Sequence, residues 1–332
     1  MNTFGYNFRI TIFGASHSEF VGITLDGVPA GLNISEKDFR RDLDRRNYNY
    51  IGKTPRAEQD IPEIISGIFN NFTTGSPITI LFKNQDVRSQ DYNQFVPRPS
   101  HGDFVIHKKY SGFNDYRGGG ASSGRMTVAI VAAGVIAKKL IPNIKIQCEV
   151  VSLRNNTNIE EELKLAIERN DSIGGVLRCS ITGVPIGLGE PFFNSLESAL
   201  SHMIFSIPGI KSIEFGDVNS LICHYGSEVG DSLISTDGST GTNYSGGINA
   251  GISNGNEIYF SVAARPTPSI PIEQNTINLK TGEKIKTRTI GRHDTCFAMR
   301  LPVIIESAAA IVLADFFLSA TNNNIFNLII SI

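Results

Sequence analysis

Three of the six histidines stand in short polar clusters beside small residues or proline. These are Phe13-Gly14-Ala15-Ser16-His17-Ser18, Arg98-Pro99-Ser100-His101-Gly102-Asp103 and Gly291-Arg292-His293-Asp294-Thr295-Cys296. Imidazole titrates near neutrality, so a histidine held in a turn on a rigid scaffold can give or take a proton at working pH. Any one cluster is also what a surface turn or a hydrogen-bonded histidine produces. Three together bring the catalytic reading level with that plainer one. A fourth cluster, Asp115-Tyr116-Arg117-Gly118-Gly119-Gly120-Ala121-Ser122-Ser123-Gly124-Arg125, feeds three glycines into a helix start with two hydroxyls and two arginines. Unpaired N–H groups and the helix dipole make such a start an anion site, although a flexible loop ending in a good N-cap gives the same pattern. It is neither a P-loop nor a dinucleotide fingerprint, because no Lys-Ser/Thr closes it and GxGxxG is absent. Arg45-Arg46 and Arg265-Pro266-Thr267 add cationic groups that, singly, are as well explained as solvated charge.

Other chemistries find no support. There is no H-E-x-x-H, no EF-hand loop and no Cys/His metal spacing. Gly14-Ala15-Ser16-His17-Ser18 is not the Gly-x-Ser-x-Gly elbow of a hydrolase. Cys148, Cys179, Cys223 and Cys296 are scattered, which reads as reduced thiols in a cytosolic protein. A net charge of −2 argues against a general polyanion binder. The residues alone point to a soluble enzyme with a histidine-bearing, anion-accepting pocket, suited to a phosphorylated ligand.

The elements that must position these groups follow from pattern and punctuation. Strands are expected over 8–13, 21–26, 63–69, 78–83, 145–153, 175–182, 212–216 and 257–264. Helices are expected over 36–46 behind an N-cap Ser35, over 122–140 behind Ser122 or Ser123, and over 194–204 and 302–319. Residues 84–121 are polar and Gly-rich, and so long an irregular stretch is more often functional than idle. Strands and helices alternate without a regular β-α-β rhythm, which favours an α+β class. No linker, charge block or repeat divides the 332 residues, so one large domain is expected over 1–332. No secretory signal is recognised at the N-terminus. The most apolar stretch, 301–320, carries Glu306 and Asp315, and is expected as a buried helix rather than a membrane span. Charged residues make up 19%, below the usual ~25%, which is consistent with surface buried in an oligomer.

At these clusters the sequence resembles the chorismate synthase family. The resemblance runs through Phe13-Gly14-Ala15-Ser16-His17, Asp26-Gly27-Val28-Pro29-Ala30-Gly31, Asp91-Tyr92, the His101 cluster and the glycine cluster. It continues through Ile186-Gly187-Leu188-Gly189-Glu190-Pro191, Ser206-Ile207-Pro208, Asn254-Gly255, Pro266-Thr267 with Ser269, Gly291-Arg292-His293-Asp294 with Cys296, and Leu313-Ala314-Asp315. Each piece is weak; their shared order is specific. The resemblance implies a layered sheet and helix sandwich, a homotetramer and a cytoplasmic lyase of the shikimate route. It also implies the reaction: 5-enolpyruvylshikimate 3-phosphate loses a C–H proton and phosphate from opposite ring faces to give chorismate. Reduced FMN is required without net redox change, since an electron-rich flavin can stabilise electron deficiency and accept the proton at N5. No NADPH:flavin reductase domain is visible, so reduced flavin is expected from outside.

Carried over by resemblance, His17 protonates or hydrogen-bonds the departing phosphate, His101 supports the reduced flavin at its pyrimidine side, and Asp294 assists proton removal near N5. Ser122, Ser123, Pro208, Gly209, Ala250, Arg265, Pro266, Thr267, Pro268, Ser269 and Arg292 are implied flavin contacts, and Arg46 and Arg125 implied substrate contacts. The chain departs from the family pattern at Ala15 (usually Glu), Ser18 (Gly), Asn47 (Arg), Ala121 (Arg), Met126 (Glu) and Arg265 (Lys). An arginine making a charged hydrogen bond contributes ~1.5–3 kcal/mol, so Ala121 is expected to weaken flavin-phosphate or substrate binding by that order. The rival readings are a non-catalytic or weakly active flavin- or phosphate-binding homologue and a plain flavin oxidoreductase.

Overall fold

The computed structural model describes residues 2–54, 56, 58–289 and 293–322. Its N-terminal part holds β1 (Thr3–Phe4), β2 (Arg9–Gly14), β3 (Phe20–Asp26), α1 (Glu36–Arg46), β4 (Glu63–Ser66), β5 (Ile68–Phe69), β6 (Phe72–Thr73) and β7 (Ile78–Lys83). Then follow α2 (Asp103–Lys109), α3 (Thr127–Leu140), β8 (Lys145–Leu153), α4 (Ile159–Glu168), β9 (Gly175–Thr182), α5 (Leu196–Phe205), β10 (Ile210–Phe215) and α6 (Val218–Cys223). The chain continues through β11 (Ile248–Asn249), β12 (Ile252–Ser253), β13 (Ile258–Ala264), β14 (Gln274–Ile277), β15 (Lys284–Thr287) and α7 (Leu301–Asn322).

Two sheets carry the fold, ordered β1-β2-β3-β7-β4 and β10-β13-β9-β8, and both are antiparallel throughout. Strand β13 shows why: Ile258, Phe260, Val262 and Ala264 alternate inward with period two, giving one buried face. Helices α3 and α7 pack on each other; α3 lies against β3 and β7, and α7 against β8 and β9. They form a middle layer between the sheets, so both are apolar on every side, and Thr127 to Ala137 are buried without a break. Gly134 lets the two helices meet, because a Cβ there would stand 2.3 Å from that of Ser307. The α+β sandwich expected from the sequence is present.

The charges of α7 explain why an apolar helix of membrane-spanning length is a core helix here. Glu306 accepts two hydrogen bonds from Arg45 (2.6 and 2.7 Å) and one from the Cys148 N–H (3.1 Å). Asp315 accepts from the backbone N–H groups of Tyr6 (3.0 Å), Asn7 (2.6 Å) and Phe8 (2.8 Å). Buried charge persists because each oxygen is partnered.

Some expectations needed correction. The strand placed over 63–69 is two strands, broken at Gly67 with φ +82°. The helix expected from 122 starts as 3₁₀ turns, and α-geometry begins only at Thr127, because Ser123 is extended (φ −69°, ψ 147°). The irregular stretch contains α2. Helices α4 and α6 and the β14–β15 hairpin were not anticipated.

Candidate active site

A cavity of about 430 Å³ opens where loops from both halves of the molecule meet. The last turn of α1 delivers two adjacent arginines in different directions. Arg45 turns to Glu306 in the core, while Arg46 reaches the cavity wall. From the 3₁₀ turn just ahead of α3 comes Arg125. Both Arg46 and Arg125 are buried and share one carboxylate, that of Asp60, which pairs with Arg125 and lies 2.8 Å from Arg46 Nη1. Asn47 also donates to Asp60 (2.8 Å), and Asn84 accepts from Arg125 Nε (2.9 Å). Burial alone would push the Asp60 carboxyl up; Arg46 and Arg125 outweigh it and hold it below the usual range. Burial pushes Arg46 down to about 10, against the pull of Asp60.

Opposite lies Asp294, which accepts from Tyr50 Oη (2.8 Å), the Thr54 N–H (3.1 Å) and Arg300 Nε (2.9 Å). A third wall carries His101, whose Nδ1 stands 2.7 Å from Asp103 Oδ1. Arg98 grips the same carboxylate at 2.7 and 2.8 Å and donates to Ser269 Oγ at 3.0 Å. Arg265 Nη1 donates to the Ser100 carbonyl (2.7 Å), so the loop after β13 is stitched to the His101 loop at two points. The lining includes six arginines (46, 56, 98, 125, 265 and 300). Glu58 and Asp294 face them in the lining, and Asp60 and Asp103 pair with them from behind it. The cavity is therefore biased toward anions although the chain as a whole is slightly acidic.

The expected residues are largely brought together. His101, Asp294, Ser122, Ser123, Pro208, Gly209, Arg265, Pro266, Thr267, Pro268, Ser269, Arg46 and Arg125 all line the cavity. His17 stands behind the wall, its ring edge-on to Tyr92 at 5.2 Å and pressed against Gly118; both of those residues line the cavity. Gly118 is required there: its φ is +59°, and a Cβ would lie 2.2 Å from His17 Cε1. Ser16 Oγ donates to the Arg117 carbonyl (3.1 Å), so it accepts from His17 Nδ1–H (3.1 Å) and leaves Nε2 as the exchangeable position. Burial, then Arg56 and Arg117, lower the His17 pKa.

Ala250 is not brought in: it sits exposed in the β11–β12 turn with φ +52°, outside the cavity lining. Arg292 lies outside the described residues. Arg117, expected as an anion contact, is paired with Asp115 (2.8 Å) and does not line the cavity. Ala121 is exposed and also outside the lining.

Sequence reading missed Tyr50, Thr54, Arg56, Glu58 and Asp60, which come from one loop without a regular period. It also missed Arg300, a lone cation at the mouth of an apolar helix, which was a usable signal.

His293 lines the cavity as well, and its Nε2 is buried without a partner. Burial, with Arg98 adding to it, pushes its pKa down to about 4 from 6.5. A histidine with a lowered folded pKa leaves stability intact above its unfolded pKa and loses it as pH falls toward the folded value. The shift corresponds to about 3 kcal/mol lost between pH 6.5 and 4. Urea unfolding across that range should show this loss, and His293→Gln should reduce it.

A sequence profile of the family described as "Chorismate synthase" matches residues 8–318. A chorismate synthase of Chitinophaga pinensis is 49% identical over 327 residues, covering 98% of both chains. One from Methanocaldococcus jannaschii is 38% identical over 362 aligned residues, covering 95% of this chain and 96% of its own. A solved structure titled "Crystal Structure of Chorismate Synthase" superposes with a TM-score of 0.72 at 26% identity, covering 95% of this chain and 93% of that one.

Proposed function

The chain belongs to the chorismate synthase family, and from that premise we propose that its arginine-lined cavity is where 5-enolpyruvylshikimate 3-phosphate loses a proton and phosphate. The activity is that of a carbon–oxygen lyase giving chorismate. The names of the relatives favour this reading over a binding-only homologue. The observation that carries the assignment of the site is the convergence of Arg46, Arg125 and Arg300 with Asp294 and His101 on one cavity.

Reduced FMN fits the same cavity. Pro208, Pro266, Pro268, Ile106 and Phe297 supply apolar surface for a flat ring, and Ser122, Ser123 and Ser269 supply hydroxyls. Thr267 Oγ1, also in the lining, is buried without a partner, as a group waiting for a ligand would be. When bound, the reduced flavin would supply electron density to the reacting ring and a nitrogen that takes up the proton.

This chain's own groups do the rest. Arg46 and Arg125 hold the anionic substrate through a positive excess that Asp60 leaves half-neutralised. Asp294 is fixed by three donors and orients the proton's exit. The Nε2 side of His17 carries a proton toward the departing phosphate, whose negative charge favours the imidazolium. The apolar wall keeps water from the reacting carbons. A homotetramer, a cytoplasmic location and an external source of reduced flavin complete the proposal.

The test is anaerobic. Protein, chemically reduced FMN and 5-enolpyruvylshikimate 3-phosphate should yield chorismate and phosphate in equal amounts, and none without reduced flavin. Phosphate without chorismate, or turnover of reduced nicotinamide alone, would refute it. Because Ala121 is exposed outside the lining, Ala121→Arg should change reduced-FMN and substrate affinity by less than about twofold, well under the ~1.5–3 kcal/mol of a charged contact. Fluorescence titration of both ligands measures this.

A further inference from the structure

Asp103 does not line the cavity, yet it decides what His101 offers there. His101 Nδ1 and Asp103 Oδ1 are 2.7 Å apart, a separation that two bare acceptors would not hold, so one proton lies between them. The carboxylate is already bound by Arg98 through Nε (2.7 Å), Nη2 (2.8 Å) and the backbone N–H (3.1 Å). An acid held by that many donors stays ionised, so the proton belongs to the imidazole. Nε2 is left without a partner among the described residues and faces Gly119, where a Cβ would come within 3.6 Å of it. Arg98 is tied in turn to Ser269, on the loop after β13.

We propose that Asp103 is a positioning residue that locks the proton of His101 on Nδ1, so that Nε2 is the one atom the ring presents to the cavity ligand. The lock is a carboxylate–histidine pair braced by Arg98. Arg98 Nη2 also lies 3.2 Å from Nδ1, but it donates at 2.8 Å to the same Asp103 Oδ1, and the 2.7 Å carboxylate contact is the one that takes the Nδ1 proton. The other charged groups around the ring, Arg265, whose guanidinium reaches Ser100 O, and His293 from the segment before α7, offer no acceptor to Nδ1. The ligand contact must therefore be a group that accepts a proton or a hydrogen bond from a charged ring, or donates to a neutral one. A flavin's pyrimidine edge, with its carbonyl oxygens and ring nitrogens, is such a group. This part rests on the cavity being the flavin site.

The test uses the full chain labelled with 15N-histidine, with the His101 signals assigned from the spectrum of His101→Gln. Long-range 1H–15N spectra of the flavin-free protein at pH 8 should show His101 protonated on Nδ1. Asp103→Asn should lose that preference and give a mixed or reversed tautomer. It should also bind reduced FMN about tenfold more weakly, with part of the affinity restored in Asp103→Glu. Wild-type His101 protonated on Nε2 would overturn the proposal whether or not any variant folds. An unchanged tautomer in Asp103→Asn would also overturn it. A locked tautomer in a protein that binds no FMN would instead remove the flavin reading of the cavity and leave the pair intact.

Discussion

His17→Gln is expected to lower kcat for chorismate formation by about 10²–10⁴-fold, the usual range for loss of a positioned general acid, while reduced FMN still binds. His17 is buried behind the Gly118 turn and makes no ion pair among the described residues, so its substitution leaves the arginine framework untouched. The same ring predicts a pH dependence. Its pKa is lowered in the free protein, so at neutral pH the acid form is the minor one. The value of kcat/KM should therefore rise as pH falls from about 8 toward 6, and this limb should vanish in the variant. Single-turnover formation of chorismate under anaerobic conditions measures both. A rate within tenfold of the parent would remove His17 from the chemistry.

The second large effect is on stability. Asp60→Ala should cost about 3–5 kcal/mol in urea unfolding, the range for removing one partner of a buried ion pair. Asp60 is 4% exposed and is the only carboxylate paired with Arg46 and Arg125 among the described residues. Removing it leaves two guanidiniums buried and adjacent. The variant should also become dependent on anions: millimolar phosphate should raise its Tm more than that of the parent, since the ion replaces the missing charge. Equal phosphate effects on both proteins would mean that Asp60 does not set the charge of this pocket.

The cavity's frame was largely legible in the sequence. Glu36 to Arg46 form a helix with the bounds that Ser35 and the basic last turn indicate. Strand β13 and helix α7 are where alternation and unbroken apolarity put them. The histidine and glycine clusters were visible because their residue types are unusual for turns. What could not be read was pairing. Asp60, Asn84 and Tyr50 look like ordinary loop residues, and their importance comes from partners 65, 41 and 244 positions away. Arg117 shows the opposite error: an arginine next to the glycines was credited to the ligand, and Asp115, two residues away, takes it. Helix α2 was hidden by its shortness, though Asp103 in its first turn and His107-Lys108-Lys109 in its last match the dipole. Ala250 faces solvent in this single chain, so nothing in its own surroundings gives it a ligand.

The bond between Asp315 and the turn after β1 has a consequence for how the protein is made. Phe8 and Asp315 are 307 residues apart, and the carboxylate accepts from three consecutive backbone N–H groups. At ~5–20 residues per second, a ribosome adds that length in roughly 15–60 s. The first hairpin thus emerges long before the helix that completes it, and α3 waits a little over half as long for α7. The nascent chain must carry an open apolar layer until translation is nearly over. Its dependence on chaperones should therefore follow the speed of elongation, and a stall just ahead of α7 would expose more apolar surface than a stall anywhere in the first sheet.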